Sequence, residues 1–385
     1  MPDQPDSLFS PITLNNGVTI PNRLVVAPMT HYASHEDGTL SDEERCFIGN
    51  RAQGFGLFIT AATCVSSEGK SFYGEPEASG EHHLPSLRET AHLIQAQGAK
   101  AILQLHHGGH SVIQHGGVLP WPAIPPGSHR LAPSDEGEAR AATEVEIHSL
   151  IAAFAHATQL ALRAGFDGVE IHGANGFLLQ QFCSGKSNRR TDGWGGNLTA
   201  RMRFALAVVD AVDAVRRQQG RPDFIVGYRF SPEEAGDNGL TMVDCLALVD
   251  ALVQKPLQYL HVSLVDFYKR ARRGADTTQA RLALIHHHLA GRLPLIGVGS
   301  LLSGAQIRAA WQTGWVDFIA LGKAVMLNPK LAALLQTGRD EAIVTELDPE
   351  RPDHYGIPHR LWQLCLEGPG WLPPVKGKPW RPPDV

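Results

Sequence analysis

The chain has little cysteine, no clustered charge of one sign and no long apolar run, and each shortage closes off a class of protein. Its five cysteines, Cys46, Cys64, Cys183, Cys245 and Cys365, lie far apart with no C-x-x-C pair. That spacing offers neither a disulfide framework nor the ligands of a zinc knuckle or iron–sulfur cluster. The 34 Lys and Arg are scattered and outweighed by 39 Asp and Glu, for a net charge of −5. Without a basic stripe there is no electrostatic footprint for nucleic acid. No apolar run reaches the ~20 residues of a membrane-spanning helix. The first seven residues are polar and acidic, unlike a signal peptide. These absences predict a soluble cytoplasmic protein without nucleic-acid or membrane partners.

What the chain has is apolar material for a large core, 43% of 385 residues. Short apolar runs recur at 24–29, 57–63, 101–105, 168–171, 225–230, 259–263, 295–298 and 318–321. Longer segments with helical character lie between them, including 145–164, 199–219, 241–254 and 303–313. Thr143 with Glu146 forms a capping-box signature, and Ser303 is a candidate cap for the last of these helices. Eight strands alternating with helices predict an α/β fold of the (β/α)8 TIM-barrel class. An open doubly wound sheet would place a Gly-rich phosphate loop after its first strand, where this chain has Ala27-Pro28-Met29-Thr30. Asn15-Asn16-Gly17, flanked by apolar 12–14 and 18–20, predicts an amino-terminal β-hairpin over the barrel floor. The barrel is expected to occupy residues 1–340. A carboxy-terminal extension, 341–385, rich in Pro, Trp and charge, is expected to pack on the barrel or on a neighbouring subunit of a homo-oligomer.

A barrel of this class carries its chemistry on the loops after its strands. His172 and Asn175 follow strand four and form a donor pair suited to an oxygen on which charge builds. The glycines around Val298-Gly299-Ser300 and at Gly322, with Lys323 beside them, sit after strands seven and eight, where barrels bind phosphate. Arg229, ending strand five, is either the partner of a nearby carboxylate or a fixed cation beside a ring that becomes anionic. Gln104 can both donate to and accept from a pyrimidine-like edge, and Thr30 can bond a ring carbonyl.

These positions together resemble the old yellow enzyme family of FMN-dependent NAD(P)H oxidoreductases. The resemblance rests on Pro21-Asn22-Arg23 with Ala27–Thr30, on Gln104 with the His106–His110 turn, and on 165–177. It continues through 187–192, Gly195-Gly196-Asn197, 201–204, 297–299 and Leu321-Gly322-Lys323. The resemblance implies non-covalent FMN held by Ala27, Pro28, Met29, Thr30, Ala62, Gln104, Arg229, Val298, Gly299, Ser300, Gly322 and Lys323. It implies NADH or NADPH as reductant, and a small enone- or quinone-like substrate whose oxygen is held by His172 and Asn175. Hydride would pass from flavin N5 to an activated C=C bond or quinone in a ping-pong cycle.

Three positions depart from the family's pattern. Lys323 stands where arginine is common, keeping the charge without the bidentate fork. His110 stands where the turn usually ends in arginine. Phe177 stands where the family's proton-donating tyrosine normally lies, and losing a general acid costs about 10²–10⁴-fold in the step it serves. Tyr32 is the candidate replacement donor and substrate contact, or else a simple wall residue; Tyr73 and Tyr268 are further candidates. An NADH oxidase or nitroreductase, whose acceptor needs no carbon protonation, is the alternative. A metal-dependent barrel hydrolase using the histidines is a remote one, although consecutive His286, His287 and His288 point in different directions on a helix. No metal is expected.

Overall fold

The computed structural model describes residues 8–113 and 128–383. The reading of the acidic first seven residues therefore lies outside the described chain, as do the last two residues of the extension.

Eight parallel strands close into a barrel: Leu24–Val26, Leu57–Ile59, Lys100–His106, Gly168–Gly173, Ile225–Phe230, Tyr259–Val262, Leu295–Gly297 and Phe318–Leu321. They neighbour one another in chain order, and strand eight returns to strand one through Ile319 opposite Leu24 and Leu321 opposite Val26. Four strands are shorter than their apolar runs, those at 259–263 and 295–298 by one residue and the first two by more. After Val26, Ala27 N–H still reaches Leu321 O, but Pro28 has no N–H to continue the ladder. Strand two stops at Ile59, and Thr63, the last residue of its run, pairs together with Cys64 against the end of strand three instead.

The helices wrap the outside. Glu144–Ala164 begins at a full capping box, Thr143 and Glu146 each bonding the other's backbone, and ends at Gly165 with φ 90°. Only glycine adopts that left-handed turn without strain. Leu198–Gln218, Met242–Leu252 and Gly304–Gln312 follow, the last capped by Ser303. Apolar faces of these helices and the outward side chains of the strands form one core layer. A second core fills the barrel with side chains such as Val25, Ile59, Ile102, Tyr259 and Phe318.

The amino-terminal hairpin, Ile12–Thr13 against Thr19–Ile20, contributes Leu14 and Ile20 to that inner core. Asn15 Nδ2 donates to Leu257 O at 2.8 Å, just before strand six. The end where the strands begin is thereby plugged, and the opposite end is left for chemistry. Beyond residue 340 the chain packs back on its own barrel, with buried Arg51 donating to the carbonyls of Tyr355 and Gly356. Among the described residues, no helix is long and apolar enough to cross a membrane.

Candidate active site

A cavity of about 660 Å³ opens where the strands end. His172 closes strand four inside it and is almost fully buried. Its Nδ1 accepts the N–H of Ala174 at 3.2 Å, so the ring proton belongs on Nε2. Burial, with His106, Arg229 and His261 nearby, holds the imidazole well below its usual value. His172 is therefore a neutral donor at physiological pH.

Asn175 sits three residues on, with left-handed backbone at φ 59°, a conformation asparagine tolerates better than most side chains. Its N–H donates to Ser231 Oγ at 2.9 Å, and its Oδ1 accepts from Ser263 Oγ at 2.8 Å. With the amide oxygen engaged, Nδ2 is the group left to donate. The loops after strands four, five and six thus fix a second neutral donor on the same cavity.

Beneath them lies Glu170, fully buried in mid-strand. It accepts from Gln104 Nε2 at 2.7 Å and from His261 Nδ1 at 2.9 Å. Burial pushes its carboxyl up, but His261, Arg229 and Gln104 outweigh that and hold it below the ordinary value. Arg229 is buried next to this charge and lines the cavity, and its Nε has no hydrogen-bond partner. At the opposite wall Lys323 Nζ donates to Ser300 Oγ at 2.9 Å. Burial lowers its amine to about 8. Both groups are desolvated cations at a cavity wall, an arrangement that favours an anionic ligand.

The sequence matches the NADH:flavin oxidoreductase / NADH oxidase family over residues 7–342. The protein is a member of that family, the old yellow enzymes. It is 43% identical over 372 residues to the probable NADH-dependent flavin oxidoreductase YqiG of Bacillus subtilis, covering 95% of this chain and 97% of the relative. It is 32% identical over 327 residues to an NADPH dehydrogenase of a Geobacillus strain, covering 84% and 91%. Morphinone reductase in complex with tetrahydroNAD superposes with a TM-score of 0.75 at 27% identity, covering 92% of this chain and 98% of that one. This old yellow enzyme is accordingly an FMN-dependent NAD(P)H oxidoreductase on a (β/α)8 barrel.

The cavity suits FMN on its own terms. Lys323 offers an uncompensated charge to a phosphate, and Arg229 offers an unpartnered N–H to a ring that gains negative charge. Gly322 lines the cavity beside Lys323, and a Cβ added there would come into ordinary van der Waals contact with Met29 and Ala27, at 3.6 and 3.7 Å.

Most of the expected residues line this one cavity: Ala27, Pro28, Met29, Thr30, Ala62, Gln104, His172, Asn175, Phe177, Arg229, Val298, Ser300, Gly322 and Lys323. Two do not. Tyr32, expected as proton donor and substrate contact, turns away at φ 56° and is fully buried with its ring edge-on to Phe72. It is Phe72 that reaches the cavity. Burial also raises the Tyr32 hydroxyl, so it releases a proton less readily than a free phenol. Gly299 is also absent from the wall. A Cβ there would lie 2.1 Å from Phe267 N, so glycine is required by backbone packing.

Tyr73 instead stacks under the Arg360 guanidinium at 3.9 Å, and Tyr268 is exposed beside Trp315. Among the described residues, no tyrosine lines the cavity. Among the described residues, no three His, Cys, Asp or Glu side chains gather as a metal-dependent hydrolase would need. His106 Nε2 meets Ser71 Oγ at 2.8 Å, His107 Nδ1 accepts from Gly109 N–H, and His288 pairs with Asp250.

Sequence reasoning missed Glu170, Ser231, Ser263, Trp371 and Leu372. Only Glu170 carries a signal, as a lone carboxylate within an apolar strand. The serines are ordinary loop residues in sequence, and the two tail residues come from beyond residue 340, 45 positions or more after Met326, the last barrel residue in the wall.

Proposed function

We propose that this enzyme uses NADH or NADPH to reduce small electron-poor acceptors bearing a carbonyl-type oxygen, quinones ahead of enones. The observation that carries this reading is the pair of oriented neutral donors, His172 Nε2–H and Asn175 Nδ2–H, on two residues that line one cavity. Donors held by other bonds before the acceptor arrives lose little orientational freedom when negative charge develops on its oxygen. Bound FMN supplies the two-electron carrier between nicotinamide and acceptor.

In this reading Lys323, Ser300 and Gly322 would hold the cofactor's phosphate. Arg229, buried beside the charge of Glu170, would offer a cation to a flavin ring that gains negative charge. Gln104 Nε2 donates to Glu170, and its amide oxygen would be left to accept from the ring. Ala27, Pro28, Met29, Thr30 and Ala62 form the wall.

The order of acceptors follows from Phe177. Its ring packs edge-on to His106 and His172, with centroids at 4.4 and 5.3 Å, and offers no proton. A reduced quinone or nitro group takes its protons on oxygen, from water. An enone must gain one on carbon, and among the described residues no tyrosine lines the cavity to give it. Enone reduction is therefore the slower, water-dependent activity.

Stopped-flow mixing of anaerobically reduced enzyme with benzoquinone, cyclohexenone or oxygen tests this. Flavin reoxidation is expected to be fastest with quinone. Reoxidation by cyclohexenone as fast as by quinone overturns the ordering, and reoxidation by oxygen alone favours the oxidase alternative.

A further inference from the structure

The carboxy-terminal extension makes a closed loop beside the phosphate end of the cavity. Gly370 and Arg381 meet so closely that a Cβ on Gly370 would lie 2.0 Å from Arg381 O. Between them, Trp380 Nε1 donates to Leu372 O at 2.8 Å, and Lys378 N–H donates to Val375 O at 3.0 Å. The loop is tied to the body of the chain by a short parallel bridge. Leu347 N–H reaches Pro374 O at 2.8 Å, and Lys376 N–H reaches Leu347 O at 2.9 Å.

This loop is cross-braced and it touches the cavity. Trp371 and Leu372 line the same cavity as Lys323 and Met326, and Leu372 is buried. Lys323 Nζ lies 5.6 Å from the centre of the Trp380 ring. Burial is what lowers the Lys323 amine. Its neighbours named by geometry are a serine hydroxyl and an indole face, neither of them a carboxylate.

We propose that residues 370–381 are a strap that belongs to the cofactor site, with Trp380 closing the phosphate end of FMN around Lys323. The indole face stabilises the ammonium by a cation–π contact without competing for it as a carboxylate would. The loop also keeps water from the Lys323–phosphate pair, which strengthens their attraction. The strap thus serves cofactor retention. The proposal rests on the placement of the phosphate at Lys323 set out above.

The test is flavin retention by the full-length protein. FMN release from diluted holoenzyme, and rebinding of FMN or riboflavin to the flavin-stripped chain, are followed by flavin fluorescence for wild type, Trp380→Ala, Trp380→Phe and Lys323→Met. Loss of a desolvated cation–π contact and its water shield in Trp380→Ala is expected to weaken FMN about ten-fold. Riboflavin, which has no phosphate, is expected to bind Trp380→Ala as it binds wild type, and Trp380→Phe is expected to restore most of the FMN affinity. Equal weakening of FMN and riboflavin, or unchanged FMN binding, overturns the strap. Lys323→Met separates the two layers of the argument. If it leaves the preference for FMN over riboflavin intact, the phosphate placement itself fails. If it abolishes that preference while Trp380→Ala has no effect, only the strap fails.

Discussion

Ser263 donates its hydroxyl proton to Oδ1 of Asn175 at 2.8 Å, and that one bond decides which face of the amide looks into the cavity. Without it the amide is free to flip and present an acceptor where the substrate oxygen needs a donor. Ser263→Ala is expected to lower kcat/KM for benzoquinone about three- to ten-fold, the size of one ordinary hydrogen bond. Asn175→Ala, which removes the donor itself, is expected to cost more. Steady-state kinetics on both variants check the order. Thermal unfolding is expected to change little, because Asn175 is exposed toward the cavity mouth.

His172 is held neutral by burial, with further help from neighbouring positive or potentially positive groups. Its folded-state value lies well below the ordinary histidine range near 6.5. Lowering the pH from 8 to about 5.5 therefore leaves the ring in one protonation state throughout. The rate of quinone-driven flavin reoxidation is expected to show no histidine inflection over that range. An inflection near 6.5 that disappears in His172→Asn contradicts the assignment.

Lys323 behaves oppositely, because its amine is lowered only to about 8. Below that pH it is charged and attracts a phosphate. Above it the charge is lost, unless the phosphate itself holds the proton in place. FMN affinity for the stripped protein is accordingly expected to fall as pH rises from 7.5 to 9.5. Riboflavin affinity is expected to stay level, and Lys323→Met is expected to remove the slope. Fluorescence titration at several pH values measures all three.

Phe177→Tyr adds a hydroxyl to a ring already packed against His106 and His172 at the cavity wall. It is expected to raise cyclohexenone reduction toward the rate a positioned general acid provides, about 10²-fold or more, and to leave quinone reduction within a few-fold. The ratio of the two rates is the informative number, since it cancels any general loss of active protein.

Much of this was legible in the chain. Parallel strands buried on both faces read as apolar runs, and Thr143 with Glu146 marks a helix start because the box needs both side chains. His172 and Asn175 were visible because strand ends in a barrel map onto one rim. Tyr32 shows the limit of that logic. Two residues past a strand end it looks like a pocket residue, but a left-handed backbone at that position sends its ring behind Phe72. Sequence spacing carries no such dihedral information. Gly299 misled for a related reason, since its missing side chain makes room for the backbone of Phe267 and not for a ligand. Glu170, Ser263 and Trp380 matter through contacts distant in sequence, between 66 and 91 residues for the first two and 57 for Trp380 with Lys323. Periodicity does not report on such pairs.

The most direct test of the substrate-oxygen clamp is the pre-steady-state rate at which benzoquinone reoxidises fully reduced enzyme, compared between wild type and the double variant His172→Ala/Asn175→Ala. Photoreduction in place of NADH keeps the comparison to the acceptor alone. Removing oriented donors from a site of developing charge is expected to slow reoxidation about 10²- to 10³-fold, with normal FMN content and absorbance spectrum. A double variant that retains its flavin and accepts quinone at the wild-type rate contradicts the clamp, and with it the substrate class proposed for this enzyme.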